Sequence, residues 1–177
     1  MKTIKHLCGI LGCLILLMTT SCQDKQVKEE LAKFRQAESL KADNIKVVKS
    51  FYKYLDESNF DSLSVLLDPD IKIFYESGDP VTWNEMMPFI KSVYASFPDY
   101  KHEIEDIIAA DAKVVVRLAY TGTHTNKYMD LNPTGIKFKY KGIQIFQFSN
   151  KKAINFWGVE DELGMMTQLG KEFKPKK

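Results

Sequence analysis

The 177-residue sequence has few cysteines, and all of them lie near its start, at Cys8, Cys13 and Cys22. No disulfide bond can therefore form within residues 23–177, and no C-x-x-C pair is available there to hold a zinc ion or to carry thiol redox chemistry. The residues that follow must fold around a hydrophobic core, and 156 remain after the first 21 are removed, which is enough for one domain of about average size.

Signatures of nucleotide, nucleic-acid and metal chemistry are missing as well. The sequence has no phosphate-binding glycine loop, no G-x-S-x-G and no H-x-x-x-H. Lysines and arginines number 25 against 23 acids, so no strongly basic surface for nucleic acid is predicted. His102, Glu103, Glu105 and Asp106 resemble a metal cluster, but alternation along a strand divides them between two faces, and a charged edge strand explains them better. We predict no metal and no cofactor.

No apolar run reaches the roughly 20 residues that a membrane-spanning helix needs. The sequence begins instead with Lys2 and Lys5, an apolar stretch from Leu7 to Met18, and small residues before Cys22. This order is typical of a secretory signal peptide, and it resembles a bacterial lipobox with Thr19 where leucine is usual. We predict cleavage after residue 21 and a lipid anchor on Cys22. The alternative is an ordinary signal peptide with a chance cysteine.

Composition divides the rest of the chain into three parts. Residues 22–42 are expected to be the lipidated cysteine and a polar spacer, 43–170 a folded domain, and 171–177 a basic tail. Gln23, rather than aspartate, follows the cysteine, which favours the outer over the inner membrane by the sorting rule of enteric bacteria. The predicted location is thus the cell envelope.

Periodicity within residues 43–170 predicts helices first and strands afterwards. Apolar residues recur at helical spacing from Ile45 to Leu55, a second short helix follows Ser58, and Thr82 with Glu85 forms a capping box for a third. Strands are predicted over 71–75, 101–109, 113–124, 136–148 and 152–160, and a closing helix over 162–169. A phase change in the apolar residues after Gly142 predicts a bulge there. The fold class is α+β, with a curved antiparallel sheet packed on three N-terminal helices.

Four sequence motifs, in order and at matching distances, resemble those of one family. They are a strand signature in Val115–Thr125, an L-x-P-T-G turn in Leu131–Gly135, a G-I-x-I-F strand in Gly142–Phe146, and a closing W-x-x-x-D-x-L-G segment in Trp157–Gly170. Together they resemble the SnoaL-like cyclases, which share the fold of nuclear transport factor 2. The resemblance covers roughly residues 44–170.

The resemblance implies a cone-shaped sheet around an apolar pocket that binds a small hydrophobic molecule. Proteins of the family are often dimers, so a homodimer is possible. In the characterised cyclases a carboxylate acts as general acid and base in an intramolecular aldol condensation, with neither metal nor cofactor. Fold alone does not decide function. We therefore keep two hypotheses, a cyclase-type or isomerase-type acid/base catalyst and a ligand-binding or protein-interaction module of the cell envelope without catalysis.

Two residues are the candidate catalytic groups. Asp161 lies at the family's carboxylate position and, on an extended segment, shares a face with Trp157 and Val159, where an apolar environment would raise its pKa. Equally, it could be the cap of the closing helix. His124 shares parity with the apolar row of its strand and could stabilise an enolate. The alternative for His124 is a structural role.

Four further residues are candidates for ligand binding: Gln144, Tyr52, Tyr120 and Trp157. Gln144 interrupts an apolar strand and could orient a substrate, while tyrosines on amphipathic elements can line a cavity or simply complete the core. One departure from the family pattern weakens the case for catalysis. Asn155 and Phe156 precede the tryptophan of the closing strand, where the family usually has a glutamate and often a histidine.

Overall fold

The computed structural model describes residues 2–75 and 78–173, and within residues 2–23 it describes the backbone alone. The first helix, α1, spans Lys2–Asp56. The predicted signal peptide and the side chain of Cys22 lie outside the described side chains, so both remain predictions. Residues 24–40 are exposed throughout, as expected of a polar spacer. Among the described residues, no helix has both the length and the apolar character needed to cross a membrane.

The chain divides into two compact units, and the second begins at Lys41 and contains the remaining helices. The C-terminal part of α1 buries Val48, Phe51 and Leu55, which confirms the amphipathic helix predicted there. A 3-10 helix at Phe60–Val65 replaces the predicted second α-helix. Helix α2 spans Trp83–Ser96 and has the predicted capping box, and α3 spans Glu162–Gln168.

Six strands form one sheet in the order β2-β1-β6-β5-β4-β3. Their bounds are β1 Leu67–Tyr75, β2 Val81–Thr82, β3 Lys101–Ala110, β4 Lys113–Thr123, β5 Lys137–Ser149 and β6 Lys152–Glu160. The α+β class is confirmed, and the strand bounds from β3 onward agree with the predicted ones within a residue. The sheet is not purely antiparallel, however, because β1 pairs with β6 in parallel. The two-residue strand β2 was not predicted.

The predicted bulge at Gly142 is wrong. Strand β5 pairs with β4 without interruption from Lys137 to Gln147, with Gly142 opposite Leu118. Every second residue of β5 from Phe138 to Phe148 faces the interior, and Gly142 and Gln144 are among them. The apolar residues change phase because the outer face of the sheet becomes apolar beyond Gly142, while the strand keeps its orientation. The pairing between β5 and β6 shifts elsewhere, between Gln147 and Phe148.

Aromatic side chains fill the space between the inner face of the sheet and the helices. Phe51 of α1 packs edge-on against Phe146 of β5, with ring centroids 5.2 Å apart. Phe146 packs in the same way on Phe156 of β6, at 4.9 Å. At the other end of the sheet Phe97 packs against Phe138, also at 4.9 Å. Rings at these separations contribute attraction beyond the area that they bury, and they fix the elements that surround a central cavity.

Candidate functional site

A cavity of about 580 Å³ lies between α2 and the inner face of the sheet. This volume is within the usual range for small-molecule sites. Its walls are largely aromatic and aliphatic, with a few polar groups at one side. The lining includes Tyr75, Met86, Ile90, Val93, Tyr94, Tyr100, His102, Tyr120, Tyr140, Gln144, Gly158, Glu160 and Met165. Among the described lining residues there is no lysine and no arginine, while Glu85, Glu160 and Glu162 are present.

Glu160, the last residue of β6, is the carboxylate at the polar side of this cavity. Its Oε1 accepts hydrogen bonds from Nε2 of Gln144 at 2.6 Å and from the hydroxyl of Tyr120 at 3.1 Å. Its Oε2 accepts a longer one, of 3.5 Å, from the hydroxyl of Tyr140. Three side chains from β4 and β5 thus hold one carboxylate in place, and hydrogen bonds of this kind fix its orientation toward the cavity.

Burial raises the pKa of Glu160 above its ordinary value of 4.5, because removal from water disfavours the charged form. The hydrogen bonds from Gln144 and Tyr120 and the nearby His102 oppose this shift, and Glu162 adds to it. A raised pKa brings a carboxyl group closer to the range in which general acid/base catalysis operates.

Gln144 joins the two sides of this polar group. It is buried, and its Nε2 also donates to the hydroxyl of Tyr120 at 2.8 Å. Its Oε1 accepts from the hydroxyl of Tyr52 on α1. Next to them the hydroxyl groups of Tyr100 and Tyr140 are in direct hydrogen-bond contact. The buried tyrosine hydroxyls therefore stay neutral, since burial raises the pKa of Tyr52, Tyr100, Tyr120 and Tyr140 well above their ordinary value.

His102, near the start of β3, contributes an imidazole to the same cavity. Its Nδ1 lies 2.6 Å from Oδ1 of Asp56, the last residue of α1. The backbone N–H of His102 donates to the same oxygen at 3.2 Å. The two side chains are 6% and 18% exposed. Since an ionised carboxylate can only accept, Nδ1 carries the proton in this pair.

With the geometry of the cavity established, comparison with known proteins assigns the family. The model of the SnoaL-like polyketide cyclases matches residues 45–169. The chain belongs to this family. No curated protein sequence matches it closely enough to count as a relative.

Several solved structures share the fold at low sequence identity. AclR of Streptomyces galilaeus, provisionally described as a hydroxylase, is 22% identical with a TM-score of 0.70, over 75% of this chain and 99% of its own. IdmH of Streptomyces antibioticus, provisionally described as a polyketide cyclase, is 22% identical with a TM-score of 0.67, over 72% and 99%. A SnoaL-like protein of Jannaschia sp. CCS1 is 17% identical with a TM-score of 0.69, over 76% and 96%. At these identities the likeness shows the fold alone.

Asp161, the carboxylate that the SnoaL-like motif suggested, does not line the cavity. It is exposed and is the N-cap of α3, where its side chain accepts from the backbone N–H of Gly164 at 2.9 Å. The capping alternative is therefore the one that the geometry supports. The parity that grouped Asp161 with Trp157 and Val159 holds along β6, but these residues face outward, and the interior belongs to Phe156, Gly158 and Glu160.

His124 is buried beyond the end of β4 and is not among the residues that line the cavity. Its Nδ1 lies 3.1 Å from Oγ1 of Thr134, and its ring packs on Phe97. Its Nε2 is buried without a hydrogen-bond partner among the described residues. Burial lowers the pKa of His124, since the charged imidazole is disfavoured away from water. This environment supports the structural alternative over an oxyanion role.

Of the four predicted ligand-binding residues, the structure brings three together. Gln144 and Tyr120 line the cavity, and Tyr52 is hydrogen-bonded to Gln144 from behind. Trp157 lies on the outer face of the sheet, stacked on Phe74 with ring centroids 5.2 Å apart. Trp157 was assigned to the cavity on the assumption that its apolar row on β6, which includes Val159, faces inward. In the structure this row faces outward.

Glu160 and His102 were not predicted from the sequence. Glu160 lies opposite Gly142, on the same face as Gln144, only because the pairing of β5 with β6 shifts by one residue between Gln147 and Phe148. Without that shift Val159 would lie opposite Gly142, so alternation along the chain does not by itself predict that Glu160 faces inward. For His102 the alternation argument was sound, since Glu103 and Glu105 face outward and pair with lysines. It left the inward-facing histidine without an assigned role. Its partner Asp56 is 46 residues away in sequence.

Proposed function

We propose that this domain binds a small, uncharged ring compound in its cavity and catalyses proton transfer next to a carbonyl group of that compound. Cyclisation by aldol condensation and isomerisation both begin with this step. The single observation that carries the proposal is Glu160, a partly buried carboxyl group with a raised pKa at the polar side of an aromatic cavity, held by Gln144, Tyr120 and Tyr140.

The charge of the lining argues for an uncharged ligand. Three glutamates and no lysine or arginine are found among the described lining residues. A carboxylate or phosphate group would therefore enter a cavity with a negative potential and without a cationic partner, at a high cost in desolvation. Aromatic and methionine side chains favour flat, apolar rings.

A non-catalytic binding module is the second candidate, and two observations favour it. The oxygens of Glu160 already accept hydrogen bonds from neighbouring side chains, so the polar group is satisfied without a substrate. Asn155 and Phe156 also stand where the family usually has polar residues. In this case the cavity would hold a ligand and leave it unchanged.

Two probes separate these candidates. For the full-length chain we expect 2-naphthol, an analogue of an enol, to bind, and the protein to accelerate deuterium exchange at C1 of 2-tetralone in D₂O, followed by proton NMR. The Glu160→Gln variant should lower the exchange rate by about 10²-fold, the usual contribution of a general acid or base. Glu103→Gln, on the outer face of β3, is the matched control and should exchange at the wild-type rate.

Binding of 2-naphthol without accelerated exchange would identify the domain as a binding module. Absence of both would contradict the proposed function. The negative lining adds a check on ligand class, since 2-naphthoate, of similar size but charged, should not bind.

We also propose that the chain is anchored to the cell envelope through a lipid on Cys22, for which the basic, apolar and small residues of the N-terminus are the support. Outer-membrane location is part of this proposal. The anchor is tested by Cys22→Ala, which should move the protein from the membrane fraction to the soluble fraction. A variant that still fractionates with membranes would contradict the lipid anchor.

A second copy of the chain is the proposed occupant of the outer face of the sheet. An apolar row crosses it at one level, through Ile108, Val115, Ile145, Trp157 and Phe74 on neighbouring strands. The ion pairs beside this row carry both signs of charge, which lets the face meet an identical face under two-fold symmetry without net repulsion.

A further inference from the structure

The pair formed by Asp56 and His102 has no role in the function proposed above, although His102 lines the same cavity as Glu160. A histidine that only fills space would need no oriented carboxylate. Here Asp56 accepts both from the ring Nδ1 and from the backbone N–H of His102. This fixes the ring, its tautomer and the start of β3 relative to the end of α1.

Packing restricts the imidazole further. The ring of His102 lies between three tyrosine rings, with centroid distances of 5.1 Å to Tyr52, 5.2 Å to Tyr100 and 5.2 Å to Tyr120. Its side chain is 6% exposed, and the wall to which it belongs faces the cavity. With Nδ1–H directed to Asp56, the unprotonated Nε2 is the nitrogen left for a ligand.

His102 and Glu160 also share a neighbour. Tyr120 donates to Oε1 of Glu160, and its ring contacts the ring of His102. A positive charge on His102, present once its imidazole is protonated, lowers the pKa of Glu160, so the two groups are electrostatically coupled. The cavity therefore contains two groups capable of proton transfer, one a carboxyl in an apolar environment and the other an imidazole backed by a carboxylate. Environments that differ in this way set the acid and base roles in many active sites.

We propose that His102 is the catalytic base of this site, that Asp56 is its positioning residue, and that Glu160 in its protonated form is the acid. This assignment rests on the proposed function. Nε2 of His102 removes a proton from the carbon next to the substrate carbonyl. The electron pair of that C–H bond forms the C=C bond of the enol, the carbonyl π pair moves to oxygen, and the oxygen takes the proton of Glu160.

The step is balanced in protons and charge. His102 becomes an imidazolium and Glu160 a carboxylate, so the sum of their charges does not change. Reversal, with a deuteron from the solvent in place of the removed proton, gives the exchanged ketone and restores both groups. The enol is also the nucleophile that an aldol ring closure requires, and it forms without any co-reactant.

Asp56→Asn is the most informative variant. An asparagine amide can donate to Nδ1 and so favours the tautomer with its proton on Nε2, which cannot accept a proton from carbon. We expect exchange at C1 of 2-tetralone to fall by about 10²-fold in both Asp56→Asn and His102→Gln. Asp56 is not among the residues that line the cavity, so Asp56→Asn should bind 2-naphthol with unchanged affinity. The matched control is Asp99→Asn, since Asp99 also accepts from a strand N–H and a side chain but lies outside the cavity.

A second measurement does not depend on turnover. The ¹⁵N shifts of His102 in the full-length chain should show the proton on Nδ1 in the wild type and on Nε2 in Asp56→Asn. Wild-type exchange in Asp56→Asn or His102→Gln, with exchange lost in Glu160→Gln, would overturn the role of the pair and leave the proposed function standing. The Nε2–H tautomer in the wild type would overturn it as well. If the wild type does not accelerate exchange, the catalytic function and the role of the Asp56–His102 pair are both contradicted.

Discussion

The side chain of Glu160 makes the stability of the folded protein depend on pH. Burial raises its pKa from the ordinary value of 4.5. In the range between 4.5 and this raised pKa, the folded protein keeps a proton that the unfolded chain has released. The free energy of unfolding therefore falls as pH rises through this range, and above it the cost of the buried charge is constant.

The Glu160→Gln variant has no proton to lose, so it should lack this part of the pH dependence. We expect the difference in free energy of unfolding, variant minus wild type, to increase steadily as pH rises from about 4.5 and then to level off. Urea unfolding at a series of pH values measures this difference, with Glu103→Gln as the control for loss of an exposed charge. Parallel curves for Glu160→Gln and the wild type would show that burial does not shift this group.

A polar side chain in an apolar strand was the sequence signal that pointed to the cavity. Gln144 was found because an amide interrupted an apolar strand, and it proves to connect Tyr52, Tyr120 and Glu160. Asp161 was chosen because it lies at the family's carboxylate position and shares parity with Trp157 and Val159, a row of β6 that faces outward. The choice depended on which row of β6 faced inward.

At the scale of the element, strands β5 and β6 explain two wrong predictions, the bulge at Gly142 and the inward orientation of Asp161 and Trp157. Their bounds were predictable from alternation, since a strand places successive side chains on opposite faces. Alternation could not predict which face points inward, because the outer face also carries apolar residues. These are Ile143, Ile145, Trp157 and Val159. With both faces apolar in the same stretch, composition cannot tell a change of face from a bulge, and the predicted bulge at Gly142 followed from that ambiguity.

The elements that escaped prediction depend on contacts between distant parts of the chain. Strand β2 has two residues, and its pairing with β1 is set by the fold rather than by any period of its own. The parallel pairing of β1 with β6 joins residues about 80 positions apart, such as Ile73 and Phe156. Local pattern carries no record of such a pairing. By contrast, the capping box at Thr82 and Glu85 is local and was predicted in full.

At the scale of the whole molecule, the outer face of the sheet exposes large apolar side chains to water. Ile108 is 59% exposed, Ile143 50% and Val159 69%. Ile143 and Val159 are directly opposite each other on β5 and β6, beside Ile145 and Trp157. Contiguous apolar surface of this kind is uncommon on a monomer, which supports the proposed second copy as its occupant.

If a second copy covers this face, a charge placed at its centre should separate the two copies. We expect Val159→Lys to convert a dimer of the full-length chain to a monomer in light scattering coupled to size exclusion, because each copy would bury a lysine without a partner in the interface. Val65→Lys is the matched control, since Val65 is 65% exposed on the 3-10 helix, outside the sheet, and should leave the dimer intact. Because Val159 faces away from the cavity, the monomer should still bind 2-naphthol. A wild-type chain that is monomeric at all concentrations would refute the dimer.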